Sequence, residues 1–272
     1  GGKAGNIMSP NPNAIAAADT FHLPLTSVMM AGIIPALFGL ILTYFLAKRL
    51  INKGSKVTDK EVIVLETQNL PSFLTALVAP LVAILLLALR PLFDIKVDPL
   101  IALPLGGLIG ALCMGKLRNI NSYAINGLSK MTPVAIMLLG TGALAGIIAN
   151  SGLKEVLIQG LEHSGLPSYI LAPISGVLMS LATASTTAGT AVASNVFSST
   201  LLELGVSSLA GAAMIHAGAT VFDHMPHGSF FHATGGSVNM DIKERLKLIP
   251  YESAVGLMMT IVSTLIFGVF KF

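Results

Sequence analysis

Four of the six histidines in this 272-residue chain fall within the stretch HAGATVFDHMPHGSFFHATGGSVNMD, which runs from His216 to Asp241. His224, His227 and His232 stand close together beside the acid Asp223, with the helix breakers Pro226 and Gly228 among them. An aspartate flanked by imidazoles can move a proton, accept hydrogen bonds from a ligand, or help to hold a metal. The residues just before it, 207–222, are apolar enough to lie in lipid. There an acid at a helix centre costs about 2.5–3.5 kcal/mol on insertion scales and marks a functional position. Asp223 is therefore the candidate proton carrier, with His224 beside it as the second proton-coupling group. His216, one helical face away among small residues, reads as structural.

A second run could meet an anion. SLATASTTAGTAVASN, from Ser180 to Asn195, sets Ser185, Thr186, Thr187 and Thr190 among alanines and Gly189. A chain reversal near Ser185–Gly189 would present hydroxyls and the free N–H groups of a helix N-terminus. A tightly packed Ser/Thr-rich helix is the plainer alternative. Hydrolytic chemistry is not written here. No histidine is followed by glutamate, so H-E-x-x-H is absent, as is G-x-S-x-G. No enzyme, cofactor or bound metal is expected.

The elements that position these residues follow from composition. The chain is 53% hydrophobic and only 11% charged, with a mean hydropathy of +0.80. A soluble domain carries about 25% charge, so the natural solvent is a bilayer and the fold class all-α. The net charge of +3 needs no nucleic acid, because basic loops explain it. A single cysteine, Cys113, excludes a disulfide framework. The first residues, GGKAGNIMSPNPN, look like the middle of a protein, so a preceding portion is expected. Spanning segments are expected at 25–47, 70–93, 97–115, 132–149, 207–222 and 250–270. The polar run 116–130 is expected on the membrane surface, and Gly142–Gly146 is expected to allow close helix packing.

Basic residues orient the chain. Lys48, Arg49, Lys53, Lys56 and Lys60 form one group, Lys116, Arg118 and Lys130 a second, and Lys243, Arg245 and Lys247 a third. The positive-inside rule places all three in the cytoplasm. The parity then closes only if residues 168–202 enter and leave on one face, as a re-entrant hairpin. Around Pro10 and Pro12 the run GNIMSPNPNAIAAADTF parallels the interruption at Pro226 and Gly228. Paired broken helices before oppositely directed spans mark an inverted-repeat transporter. Asp19 and His22 flank the first interruption and are placed near its mouth.

GNIMSPNPNAIAAADTFHLPLTSVM, LATASTTAGTAVASN and GATVFDHMPHGSFFH…VNMDIKERLKLIPYE resemble the gluconate permease family of proton symporters, within the ion transporter superfamily. The resemblance covers essentially the whole chain and implies a polytopic inner-membrane protein that is a homodimer. It implies symport of protons with gluconate or a related sugar or hydroxy acid; a metal-ion or other organic-anion transporter is the alternative. Residues 1–48 are then the tail of a first repeat, 49–69 a cytoplasmic linker and 70–272 a second repeat. Within the latter, 70–115 are scaffold helices, 132–249 the transport part with the hairpin 168–202, and 250–270 the terminal helix. A hydroxylated carboxylate needs an anion hole and many hydrogen-bond partners. Asn11, Asn13, Ser185, Thr186, Thr187, His227 and Ser229 are the expected substrate shell. With no basic residue expected inside a span except Arg90, helix N-termini are expected to meet the anion's charge.

Overall fold

The computed structural model describes residues 2–53, 70–93, 95, 97–238 and 240–271, and those residues are helical with no strand. Most of the expected linker, including Lys56 and Lys60, lies outside the described residues, as do Asp94 and Lys96 of the turn between the second and third expected spans. The chain divides into two compact units, residues 1–62 with 138–272, and residues 63–137.

The larger unit opens with two short helices, α1 (Gly2–Met8) and α2 (Pro12–Thr20), followed by the 26-residue α3 (Leu25–Leu50). Pro10 and Pro12 lack the N–H that a continuous helix needs, so α1 and α2 are separate. One face of α3 is small and buried (Val28, Gly32, Ala36, Gly39), whereas Met30, Ile33, Ile34, Leu37, Phe38, Ile41 and Phe45 are exposed. Unbroken apolar exposure along a helix about 39 Å long suits hydrocarbon and not water. Helix α3 and the stretch Ile242–Val269 are long and apolar enough to cross a bilayer, and shorter apolar helices stand at Phe73–Leu89, Pro99–Cys113, Leu139–Ile148 and Ser168–Thr183.

Helices α8 (Leu171–Thr183) and α9 (Thr186–Glu203) fold back on each other through a two-residue turn. Ala184 adopts the left-handed region at φ 47°, and Ser185 caps α9 by accepting from the Ala188 N–H at 3.2 Å. Gly189 lets the two arms close, since a Cβ there would lie 2.8 Å from the Ser180 nitrogen. Helix α10 (Ser208–Gly218) crosses α8 where Gly176 and Gly218 meet the backbone of Ile215 and Pro173. It stops before Asp223, and the chain restarts as α11 (Ser229–Gly236), α12 (Ile242–Leu246) and α13 (Ile249–Thr264). Each interrupted helix rests on a glycine of a longer one. The Ile7 backbone sits on Gly32 of α3, and the Thr220 backbone on Gly256 of α13.

In the smaller unit, α4 (Phe73–Phe93) and α5 (Pro99–Cys113) pack antiparallel. Gly106 and Gly110 lie against Ala79 and Ala83, small residues one turn apart on each side. The expected packing glycines Gly142 and Gly146 would meet no described neighbour within 4 Å of an added Cβ. The segment expected on the membrane surface, 116–130, is continuous for most of its length with the next expected span. Residues Ile120–Ala149 form one helix, α6, which falls into both units and runs on through Pro133. Proline removes one backbone bond and bends a helix without always ending it. Helix α7 (Leu153–Ser164) follows.

Candidate functional site

The cluster begins at the first interruption. Asn11 accepts from the Ala14 N–H at 2.9 Å, capping α2, and its amide nitrogen donates to the Asn6 carbonyl at 2.6 Å. One side chain thus ties the end of α1 to the start of α2. Asn13, the buried second residue of α2, donates to the Asn6 carbonyl at 3.0 Å and to His216 Nε2 at 2.8 Å, and accepts from the Thr187 hydroxyl at 3.2 Å. His216 is therefore joined to the first interruption and to the α9 terminus.

Thr186, the first residue of α9, donates to Asp223 Oδ2 at 2.7 Å and accepts from Asn6 Nδ2 at 3.2 Å. The other Asp223 oxygen takes the ammonium of Lys3. Lys3 also donates to the Thr220 carbonyl, and its ammonium lies 3.1 Å from His224 Nδ1. His224 Nδ1 faces two opposite partners, the Lys3 ammonium at 3.1 Å and Asp223 Oδ1 at 3.2 Å, and Nε2 lies 3.1 Å from the Ile249 carbonyl and 3.1 Å from the Ser253 hydroxyl. Lys3, Asp223, His224 and Thr186 are all buried. Their hydrogen bonds offset part of the cost of removing two charges from water.

Three breaks in the chain therefore converge: the α1–α2 gap, the α8–α9 turn and the gap after α10. Gly228, at the far end of the last gap, sits directly on Ala184 of the turn. Of the expected shell, Asn13, Thr186 and Thr187 line this junction. Asn11 and Ser185 border it as helix caps. His227 and Ser229 are exposed outside it, His227 on the Leu181 carbonyl at 3.1 Å. His232 bonds the Pro226 carbonyl at 2.8 Å. The histidines 224, 227 and 232 thus turn to three different carbonyls, and the described residues hold no group of three His, Cys, Asp or Glu suited to a metal. Asp19 and His22 are exposed at the distal end of α2.

The expectation of a site without a buried cation is overturned by Lys3. A lysine among glycine and alanine at the start of the chain reads as a solvated end. The available signal was its isolation, with no other charge before Asp19 and an Asn-Pro-rich break just downstream. The side chain of Arg90, the one basic residue that was expected, is not described.

Comparison with known proteins finds a family model and a curated relative among its matches. Residues 75–164 match the model of the Na+-H+ antiporter family, a region that covers α4 to α7 and excludes the polar junction. The high-affinity gluconate transporter of Escherichia coli (strain K12) is 23% identical over 97% of this chain. The chain spans 66% of the length of that relative. No solved structure matches. The described helices, their exposed apolar faces and the match along nearly the whole chain agree: this is a membrane protein, a distant gluconate-permease-like relative with kinship to transport proteins and not to enzymes.

Proposed function

We propose that the chain forms the translocation core of a proton-coupled secondary transporter for gluconate or a related small sugar or hydroxy acid in the inner membrane. The observation that carries this is the meeting of three chain breaks at one buried polar junction. Irregular backbone at membrane depth persists where it is enclosed by protein or lines a polar path. The α8–α9 pair is then a re-entrant hairpin, and the two interrupted helices correspond across an inverted repeat. Helices α2 and α9 both begin at the junction, so their positive poles favour a carboxylate there. Asn13, Thr186 and Thr187 supply hydrogen bonds to hydroxyls.

Coupling follows from competition. As a carboxylate, Asp223 occupies the Lys3 ammonium and the Thr186 hydroxyl. Adding a proton to Asp223 releases both donors to a substrate carboxylate. Proton and substrate then favour each other's binding by the same factor, as linkage requires, and they cross together. The test is uptake of labelled gluconate, glycerate and D-serine into proteoliposomes of the full-length protein under an inward proton gradient. At least one should accumulate, and a protonophore should abolish it. Thr186→Val keeps the volume but removes a donor to a charged group, at about 1.5–3 kcal/mol. Substrate affinity should fall about ten- to a hundredfold. Unchanged affinity would remove the tip from the site, and absence of gradient-driven uptake of any acid would remove the function.

The orientation can be checked separately in a Cys113→Ser background, because Cys113 is exposed. Ser164→Cys should react with an impermeant maleimide from outside intact cells, and Lys53→Cys only after permeabilisation. Labelling of position 164 from the cytoplasm alone would refute the re-entrant placement.

A further inference from the structure

The surroundings of Lys3 are those of a metal-cation site. Its ammonium meets the Thr220 carbonyl, an Asp223 oxygen and His224 Nδ1. The carbonyl lies just past the end of α10, where unpaired carbonyls form the negative pole of the helix. Unwound carbonyls at a helix break together with a carboxylate are the ligands by which broken-helix carriers hold Na+. Here the cation is covalently part of the chain. The remaining charges near Lys3 are Glu252 and Arg245, and these are paired with each other at 2.7 Å. They leave Asp223 as the partner of the lysine.

We infer that the Lys3 ammonium is a tethered cation filling a site that would otherwise take a free Na+, so that the protein binds no Na+ there and acquires a Na+ requirement when Lys3 is removed. This rests on the transport reading only in regarding the junction as the translocation site. A cleft of about 250 Å3, lined by Lys3, Gly39, Thr43, Tyr251 and Glu252, opens beside the lysine. Shortening or neutralising the side chain leaves that cleft as a way in for a hydrated ion. The Thr220 carbonyl and the Asp223 carboxylate remain as oxygen ligands.

The test is ion-dependent melting of the detergent-purified full-length protein, which needs no substrate and no transport. Wild type, Lys3→Met and Lys3→Met/Asp223→Asn are heated in NaCl or choline chloride of equal ionic strength. Lys3→Met should melt about 2–5 °C higher in NaCl at roughly ten times the Na+ Kd. Wild type should show no difference between the salts. The double variant, which lacks the anionic ligand, should show none either. Sodium stabilisation of wild type would overturn the inference, as would its absence in Lys3→Met. If Lys3→Met is recovered folded only from NaCl, the inference is supported. If the double variant is recovered and Lys3→Met is not, even in NaCl, then Na+ cannot replace the ammonium and the inference fails. Loss of gradient-driven uptake in wild type would instead refute the transport reading and leave these melting results unaffected.

Discussion

Asp223→Asn in the full-length protein should abolish accumulation driven by a proton gradient while exchange of labelled for unlabelled substrate persists. The amide keeps the shape of the side chain but has no exchangeable charge state, so the proton cycle stops. The vacated ammonium of Lys3 and hydroxyl of Thr186 remain free for a substrate carboxylate, so binding and exchange need no proton. The same change strands a buried ammonium, and breaking a buried pair from one side costs about 3–5 kcal/mol. The melting temperature should therefore fall by about 6–20 °C without substrate and recover in part when substrate is added. Adding Lys3→Met should restore most of that loss, because the unpaired charge is gone, and should now eliminate exchange as well. Accumulation that still follows the pH gradient in well-folded Asp223→Asn would show that the proton travels elsewhere.

Gly228→Ala should separate the junction from the rest of the fold. An added Cβ would lie 2.6 Å from the Cβ of Ala184 and against its carbonyl, both in the α8–α9 turn. The turn cannot yield cheaply, because Ala184 is already left-handed and Ser185 already caps α9. Overpacking of this kind costs about 1–3 kcal/mol. Placed on the closed junction alone, it lowers substrate affinity about 5- to 150-fold. Gly236→Ala is the control, since a Cβ there meets nothing within 4 Å, and its affinity should match wild type. Equal affinities for the two variants would mean that the Gly228–Ala184 contact is no part of the site.

Some of this arrangement is legible in the sequence because its signals are local. A proline cannot donate to a helix ladder, so the gap between α1 and α2 is written at Pro10 and Pro12. Pro226 and Gly228 likewise announce the break after α10. The all-helical class follows from apolar runs too long for strands and too poor in charge for water. What local signals miss is partnership across the chain. Lys3 is marked locally only by its isolation from other charges; its counter-charge is Asp223, 220 residues further on. The polar first half of helix α6 suggests a separate segment, yet the helix continues through Pro133. The spacing of Gly142 and Gly146 resembles that of Gly106 and Gly110, and only the facing Ala79 and Ala83 give the second pair its close contact.

The Lys3–Asp223 pair also bears on how the protein is made. Its partners stand 220 residues apart. At about 5–20 residues per second, a ribosome that has finished the lysine needs roughly 10–40 s more to reach the aspartate. Throughout that interval α1 carries an ammonium without its carboxylate, and a lone charge is costly to hold at bilayer depth. The first interrupted helix must therefore wait at the aqueous interface while the intervening chain is made, and it docks only when the residues around Asp223 arrive. Assembly of the junction is thus delayed until an earlier segment can dock on one made 220 residues later.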